Sequence, residues 1–119
     1  MKLMAPSGAN FQDVYAAGEK IANWPLAERI VAGHAALAQW GTYDYQRDKT
    51  TNTFFDEYAD ASNYAVGVFM AGASFPRAVA IMISQTYAFF ESNQTEENKQ
   101  QQVFWTIRGW DDGNRGRWQ

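Results

Sequence analysis

Acidic side chains gather in two segments near the middle of the chain. Asp44 lies between Tyr43 and Tyr45, and further along the chain Glu57 and Asp60 are three residues apart. Like charges held close together among aromatic rings raise the pKa of one carboxyl, which is what a general acid requires. Two carboxyls that face each other across a groove are the arrangement that cleaves a glycosidic bond. The residue types therefore predict carboxylate-based hydrolysis, provided that the fold brings the two segments together.

The second acidic segment is predicted to be helical, and its spacing indicates which side chains share a face. Glu57, Asp60 and Tyr64 are separated by three and four residues, which places them on one side of a helix. Asn63 and Tyr64 add an amide and a hydroxyl within reach of that side. The alternative interpretation is that these acids solvate the start of the helix and interact favourably with its dipole.

Other kinds of catalysis have fewer candidate residues in this chain. There is no Cys and a single histidine, His34, so a transition-metal site would depend almost entirely on carboxylates, and we expect no metal and no cofactor. The glycine-rich phosphate loop, the zinc-binding helix and the nucleophile elbow are missing from the sequence. An alternative on the available residues is RNA cleavage, with His34 as the base and Arg47 or Lys49 stabilising the charge of the transition state.

Size and composition predict one domain. Of the 119 residues, 46% are hydrophobic and 16% are aromatic, which is enough to bury a core without disulfides. We expect a single domain over residues 1–119, with residues 1–9 and 113–119 flexible. The net charge of -3 offers no overall attraction to a polyanion, which argues against nucleic acid as a partner. The basic residues near the C-terminus, such as Arg108 and Arg115, are diluted by Asp111 and Asp112.

Apolar residues recur at intervals of three and four, which predicts a mainly α-helical bundle. The pattern places five helices at about residues 11–22, 25–40, 53–71, 76–90 and 96–110, the first of them capped by Asn10. Buried stripes are expected to include Leu26 and Ile30 in the second helix and Val79 and Met82 in the fourth. A polar loop at residues 41–52 joins the second and third helices, and loops of this kind commonly carry function.

Neither a signal peptide nor a membrane span is evident in the sequence. The first eight residues lack a long apolar core, and the apolar run at residues 78–83 is too short to cross a bilayer. We therefore expect synthesis in the cytoplasm and no membrane partner.

Three runs of the sequence resemble a known family. They are Trp40-Gly-Thr-Tyr-Asp-Tyr-Gln-Arg47, Glu57-Tyr-Ala-Asp-Ala-Ser-Asn63-Tyr64-Ala-Val-Gly67, and residues 98–109 ending in Ile107-Arg-Gly109. Over about residues 39–110 they resemble the bacterial polymorphic toxin type 44 domain. Asp44 with Tyr45, and Asn63 with Tyr64, match the family's Asp-Tyr and Asn-Tyr pairs, and Gly67 matches a later glycine. The chain departs from the pattern at residue 43, where Tyr replaces Trp, and at residue 46, where Gln replaces Lys.

The resemblance implies a toxic or lytic effector domain that is delivered by a secretion system or a phage particle. Its target would be peptidoglycan or another bacterial polymer, and a cognate immunity protein is an expected partner. Acids and aromatic residues dominate the candidate cluster, whereas histidine and basic residues are scarce, so cell-wall glycan is the favoured substrate. Sugar rings stack well on Tyr and Trp.

In this hypothesis each candidate residue has a role. Glu57 is the general acid and Asp44 is the base or nucleophile. The residues expected to bind substrate are Asn63, Tyr64, Tyr43, Tyr45 and Arg47. Two alternatives stay open, namely an RNA-cleaving toxin that uses His34, Arg47 and Tyr64, and a non-catalytic binding or adaptor protein with an aromatic groove.

Overall fold

Five α-helices and a short β-hairpin make up the part of the chain that the structure describes. The structure is a computed structural model, and it describes residues 3, 5, 9–37, 47–48, 53–54, 59–90 and 96–116. The helices are α1 (Phe11–Glu19), α2 (Leu26–Leu37), α3 (Ala59–Gly72), α4 (Arg77–Phe90) and α5 (Glu96–Arg115). The hairpin pairs β1 (Arg47–Asp48) with β2 (Thr53–Phe54). The prediction of a mainly α-helical bundle of five helices is confirmed.

The first helix begins where the sequence predicts and ends earlier. The Asn10 side chain accepts hydrogen bonds from the backbone N–H groups of Gln12 at 3.0 Å and Asp13 at 3.3 Å, which confirms the predicted N-cap. After Glu19 the backbone tightens, because the N–H of Ile21 bonds to the carbonyl of Gly18. The chain then turns through residues 20–24 into α2.

The start of the third helix differs from the prediction. Thr53 and Phe54 form an antiparallel strand in which Phe54 pairs with Arg47 and Thr53 pairs with Asp48. Thr is β-branched and Phe is aromatic, and both residue types suit a strand. The pairing with β1 therefore decides that this segment is a strand and does not belong to the helix. α3 begins at Ala59, and residues 55–58 lie outside the described chain.

α5 continues beyond its predicted end at Trp110 as far as Arg115. Residues 113–115, which were expected to belong to a flexible tail, are therefore helical. Gly113 is buried against α3, where an added Cβ would lie 3.0 Å from the Cβ of Ala71. Glycine is thus used here for close packing of two helices and does not end the helix.

α3 lies at the centre of the fold, packed between α1 and α5. Gly18 of α1 and Gly72 of α3 each lie against the backbone of the other helix, as do Gly67 of α3 and Gly109 of α5. Residues near the start of one helix contact residues near the start of its neighbour, and later residues contact later residues. The helices α1, α3 and α5 therefore run in roughly the same direction. The buried hydrophobic residues that form the core are Phe11, Val14, Ile21, Ala61, Tyr64, Ala65, Val68, Phe69, Met70, Ala73, Phe75, Ala80 and Trp105.

In the outer helices α2 and α4, some residues of the predicted buried stripes are exposed. Leu26 and Ile30 of α2 are 53% and 51% exposed, and Met82 of α4 is 58% exposed. Val79, in contrast, packs partly buried against the core as predicted. The sequence pattern marks an apolar face in α2, but that face is turned largely to solvent.

The overall dimensions are those of a folded domain. The radius of gyration is 13.1 Å, and a compact chain of this length is expected to have about 13.5 Å. Leu3 and Ala5 pack against the core, within the segment that was expected to be flexible. In the described chain, no helix is both long enough and apolar enough to cross a membrane.

Candidate functional site

Most of the predicted catalytic segment lies outside the described residues. This holds for Asp44 and Glu57, and for Tyr43 and Tyr45. Arg47 is the first residue of β1, and its side chain is outside the described part. That the carboxyls of Asp44 and Glu57 face each other therefore stays a prediction.

Tyr64 lies in the core, between the helices. Its side chain has no exposed surface, and its hydroxyl donates a 2.7 Å hydrogen bond to Oδ2 of Asp112 on α5. The ring meets Phe11 edge-on at 4.8 Å and Trp105 edge-on at 6.3 Å between ring centroids. In this position the Tyr64 ring offers no surface to a substrate, and the residue joins three helices.

Asn63 lies at the edge of the contact between α3 and α5. The single hydroxyl hydrogen of Thr106 is shared between two backbone carbonyls, that of Asn63 at 3.2 Å and that of Gln102 at 2.9 Å. The Asn63 residue is partly exposed. Asn63 and Tyr64 therefore do not share a surface, because Asn63 lies at the edge of the contact and Tyr64 is buried.

Asp60 is the member of the acidic cluster that the structure describes. It lies in the first turn of α3 and is partly buried. Burial raises the pKa of the Asp60 carboxyl, and a hydrogen bond from the Trp105 side chain partly offsets that rise. A raised carboxyl pKa in this cluster agrees with the prediction from the sequence. The main cause of the raised Asp60 pKa is burial, whereas the sequence suggested that neighbouring like charges would raise it.

Trp105 forms the apolar wall beside Asp60. It is 2% exposed, and Phe104 meets its ring edge-on at 5.2 Å. A carboxyl flanked by apolar surface holds its proton to a higher pH than a free side chain, whereas the indole N–H donor acts in the opposite direction. In the sequence, Trp105 is one of five Trp residues and belongs to no motif that marks it as functional. Its spacing of three residues from Gln102 and four from Gly109 was the available sign that it faces α3.

Asp112 is a further residue whose role the sequence did not indicate. It is 6% exposed, and it accepts hydrogen bonds from Tyr64 and, at 3.4 Å, from Nε of Arg108. Its neighbour Asp111 pairs with Arg77 of α4 at 2.7 Å. The two aspartates therefore join α5 to other side chains across the fold. The spacing of four between Arg108 and Asp112 was the readable signal, whereas the pairing with Arg77 depends on tertiary structure.

Gln102 carries a buried acceptor at the same end of the α3 and α5 contact. Within the described chain its side-chain oxygen Oε1 is buried and has no hydrogen-bond partner. Gln102 is one helical turn before Thr106, and Asp60 is three residues before Asn63. Because the two helices run in roughly the same direction, Gln102 and Asp60 lie at the same level of the contact.

Metal binding and histidine chemistry have little support in this region. In the described ranges, no three side chains among His, Cys, Asp and Glu lie together as a metal would require. His34 belongs to α2, and its side chain is outside the described part. The arrangement that can be described is suited to proton transfer and hydrogen bonding.

An exposed apolar face is the second candidate feature. It consists of Leu26, Ile30 and Val31 on α2 together with Trp24 just before the helix, and the exposed fractions run from 47% to 70%. α2 is joined to the rest of the fold through Arg29, whose Nη1 donates a 3.0 Å hydrogen bond to the carbonyl of Ala73. An apolar face of this kind is common where one protein binds another.

Comparison with known proteins does not extend these observations. No family model, no curated protein and no solved structure matches the chain.

Proposed function

We propose that the chain is a toxin-like or lytic effector domain that hydrolyses bacterial cell-wall glycan with carboxyl side chains. The observation that supports the proposal is the environment of Asp60, which belongs to the same acidic cluster as Glu57: Asp60 is partly buried at the start of α3, and this burial raises the pKa of its carboxyl. Its raised pKa keeps a proton available at a higher pH than an ordinary aspartate would. Proton donation to the leaving oxygen is a requirement of glycosidic hydrolysis.

The proposed chemistry uses two carboxyls on opposite sides of the glycosidic bond. One acid, proposed as Glu57 from the sequence, donates a proton to the oxygen that leaves. A carboxylate, proposed as Asp44, either activates water or attacks the sugar carbon. The same proposal uses Asn63, Tyr43, Tyr45 and Arg47 to hold the sugar. For Tyr64, burial in the core favours an indirect role.

The proposal includes a biological setting that derives from the family resemblance. Peptidoglycan or a related bacterial polymer is the substrate, and a cognate immunity protein is the partner that protects the producing cell. Delivery by a secretion system or a phage particle would bring the domain to its target.

A turbidity assay on purified peptidoglycan tests the proposal. The wild-type chain should clear the suspension and release reducing sugar ends. Glu57→Gln and Asp44→Asn should each lower the rate by about 100-fold or more, because each removes a group that acts in the transition state. Asp13→Asn, an exposed acid of α1, is the matched control and should keep full activity. A wild-type chain that releases no sugar ends would overturn the proposal.

Incubation with total RNA separates the glycan proposal from the RNA alternative. RNA cleavage that disappears in His34→Ala, with no release of sugar ends, would move the assignment to the alternative. Circular dichroism of each variant shows whether the helices are retained.

The second candidate function is non-catalytic binding, and the apolar face of α2 favours it. The partner would be a protein with an apolar groove that takes α2 as an amphipathic helix. This candidate predicts no turnover of either polymer and a stable complex in light scattering with the partner. Val31→Glu, at a position that is 70% exposed, should abolish the complex and leave the fold intact.

A further inference from the structure

The helix α2 contributes little to the packed core. None of the described core residues lies in α2, and they belong instead to the other four helices and the segments that flank them. The inner side of α2 carries Ala32, which packs partly buried against the core, and Gly33, at which an added Cβ would lie 3.4 Å from Cε1 of Phe69. The large apolar side chains described in α2 are half exposed or more. Because hydrophobic stabilisation scales with buried apolar area, α2 itself loses little of it when it leaves the core.

Arg29 supplies the polar attachment of α2. Its Nη1 donates a 3.0 Å hydrogen bond to the carbonyl of Ala73, and its guanidinium carbon lies 5.2 Å from the centroid of the Phe75 ring, a cation–π contact. The Nε of Arg29, in contrast, is buried without a hydrogen-bond partner. Within the described chain no carboxylate pairs with this guanidinium. A buried donor without a partner disfavours the packed state, because water would satisfy it once the helix moved away.

The chain just before α2 provides a point at which an opening can begin. Ile21 is 7% exposed and stays within the core, and its carbonyl accepts a 3.0 Å hydrogen bond from the N–H of Trp24. Residues 23–25 are exposed. The glycine contacts that join α1 to α3 and α3 to α5 involve no residue of α2. The three packed helices can therefore keep their contacts when α2 separates from them.

We infer that α2 is a detachable helix, which leaves the core as a unit while α1, α3 and α5 stay packed. The open state uncovers the Phe69 and Phe75 rings, which are 2% and 5% exposed while α2 is in place. Openings of single elements have free energies below that of global unfolding. A protein partner could then take α2 without unfolding the rest of the domain. The inference is independent of glycan hydrolysis, because the residues proposed for that reaction lie outside α2.

Amide hydrogen exchange followed by NMR tests the inference in the wild-type chain. The amides of Ile30, Val31 and Ala32 should share one protection factor, about 100-fold or more below that of the Val68 amide in α3. Low concentrations of urea should accelerate exchange strongly at Val68 and weakly in α2, because the opening of α2 exposes less surface than global unfolding does. Equal protection and equal urea dependence in the two helices would overturn the inference.

A cavity outside α2 gives a sharper test. Val68 is fully buried and lies against α5, where its Cα is 3.4 Å from a Cβ built at Gly113. Val68→Ala destabilises the closed and the open state alike relative to the unfolded chain. Exchange in the interior of α3 should therefore become about 30-fold faster, while exchange in α2 stays unchanged. Equal acceleration in both helices would show that α2 separates only through global unfolding, and would contradict a detachable helix.

Two variants within α2 test the attachment itself. Arg29→Ala removes the hydrogen bond to Ala73 and the contact with Phe75, so the α2 amides should exchange about 5- to 10-fold faster. Glu28→Gln, at the exposed neighbouring position, is the matched control and should change exchange in α2 by less than about 3-fold. Equal effects of the two variants would overturn the role of Arg29 in holding the closed state.

Discussion

The contact between α3 and α5 and the outer helix α2 are built on opposite principles. α3 and α5 meet through glycines and a buried hydrogen bond between Tyr64 and Asp112, and the core residue Trp105 fills the space beside them. α2 instead exposes large apolar side chains, including Val31 at 70%, and is joined to the fold by Arg29. The apolar residues of a helix thus reveal little about burial unless the partner helix can come close.

Small residues decide how closely two helices approach, and this explains the difference. Where glycine occupies the contact, backbone meets backbone and polar groups of the two helices can bond directly. Asp60 lies in the first turn of α3, at the start of this closely packed pair. A site built on rigid helices keeps its geometry better than one built on loops.

The largest expected effect comes from adding one methyl group between α3 and α5. A Cβ at Gly109 would overlap the backbone carbonyl oxygen of Tyr64, which cannot move without displacing a helix. Gly109→Ala should therefore lower the free energy of unfolding by about 3 kcal/mol or more, despite the better helix propensity of Ala. Urea unfolding followed by circular dichroism measures the change.

Gly33→Ala is the matched control in α2. Its new Cβ would lie 3.4 Å from Cε1 of Phe69, which is an ordinary contact. The variant should gain about 0.5–1 kcal/mol from helix propensity. If both variants lost similar stability, the contrast between the two regions would be wrong.

A Val→Ala substitution in each region should give the next largest difference in the free energy of unfolding. Val68 of α3 is fully buried, so Val68→Ala leaves a cavity and should cost about 2 kcal/mol. Val31→Ala at the exposed position of α2 should change stability by less than about 0.5 kcal/mol. Equal losses in thermal or urea unfolding would mean that α2 is buried in solution, for example against a partner copy.

Substitutions just after α3 and α5 should change stability by a smaller amount, with opposite signs for the two helices. Ser74 follows α3 with φ of 64°, and the N–H groups of Ser74 and Phe75 bond back to the carbonyls of Ala71 and Met70. This is a glycine position occupied by serine, so Ser74→Gly should add about 1 kcal/mol of stability.

Gly116 follows α5 with φ of 69° and nothing within 4 Å of an added Cβ. Gly116→Ala should lose about 1 kcal/mol from backbone conformation alone. A destabilised Ser74→Gly variant would show that the Ser74 side chain contributes more than its backbone costs.

The smallest effect concerns pH and Asp60. Its pKa is raised in the folded state, so as pH rises the unfolded chain loses this proton first, and stability falls until the folded pKa is passed. Below the ordinary aspartate range the effect is absent. Asp60→Asn should therefore become more stable relative to wild type as the pH rises through the ordinary aspartate range and above it. Parallel curves of unfolding free energy for the two proteins would contradict the raised pKa.

Much of the helical framework could be predicted from the sequence. The Asn10 cap, the restart after Pro25 and the start of α5 at Glu96 follow local rules of capping and periodicity, and the structure agrees with each. The start of α3 could not be predicted, because Thr53 and Phe54 have a pairing partner in β1 that periodicity does not reveal. The length of α5 was also missed, because Gly113 fits closely against α3 and the helix continues through it.

The candidate site was predictable only in outline. The sequence marked the acidic cluster at Asp60 and expected one raised carboxyl pKa there. It did not identify Trp105, because its position beside Asp60 depends on how α5 packs on α3. It also placed Tyr64 at a substrate face, although a buried hydrogen bond to Asp112 holds it in the core.

The sequence by itself determined that the chain forms helices, where most of them begin, and which residue types are available for chemistry. Those properties depend on local backbone preferences and on hydrophobic periodicity, which act over one or two helical turns. Only the tertiary structure decided which apolar face is buried, which carboxyl has its pKa raised and which tyrosine is out of reach. These depend on what a second helix places beside a residue, and glycine contacts between distant parts of the chain set that arrangement.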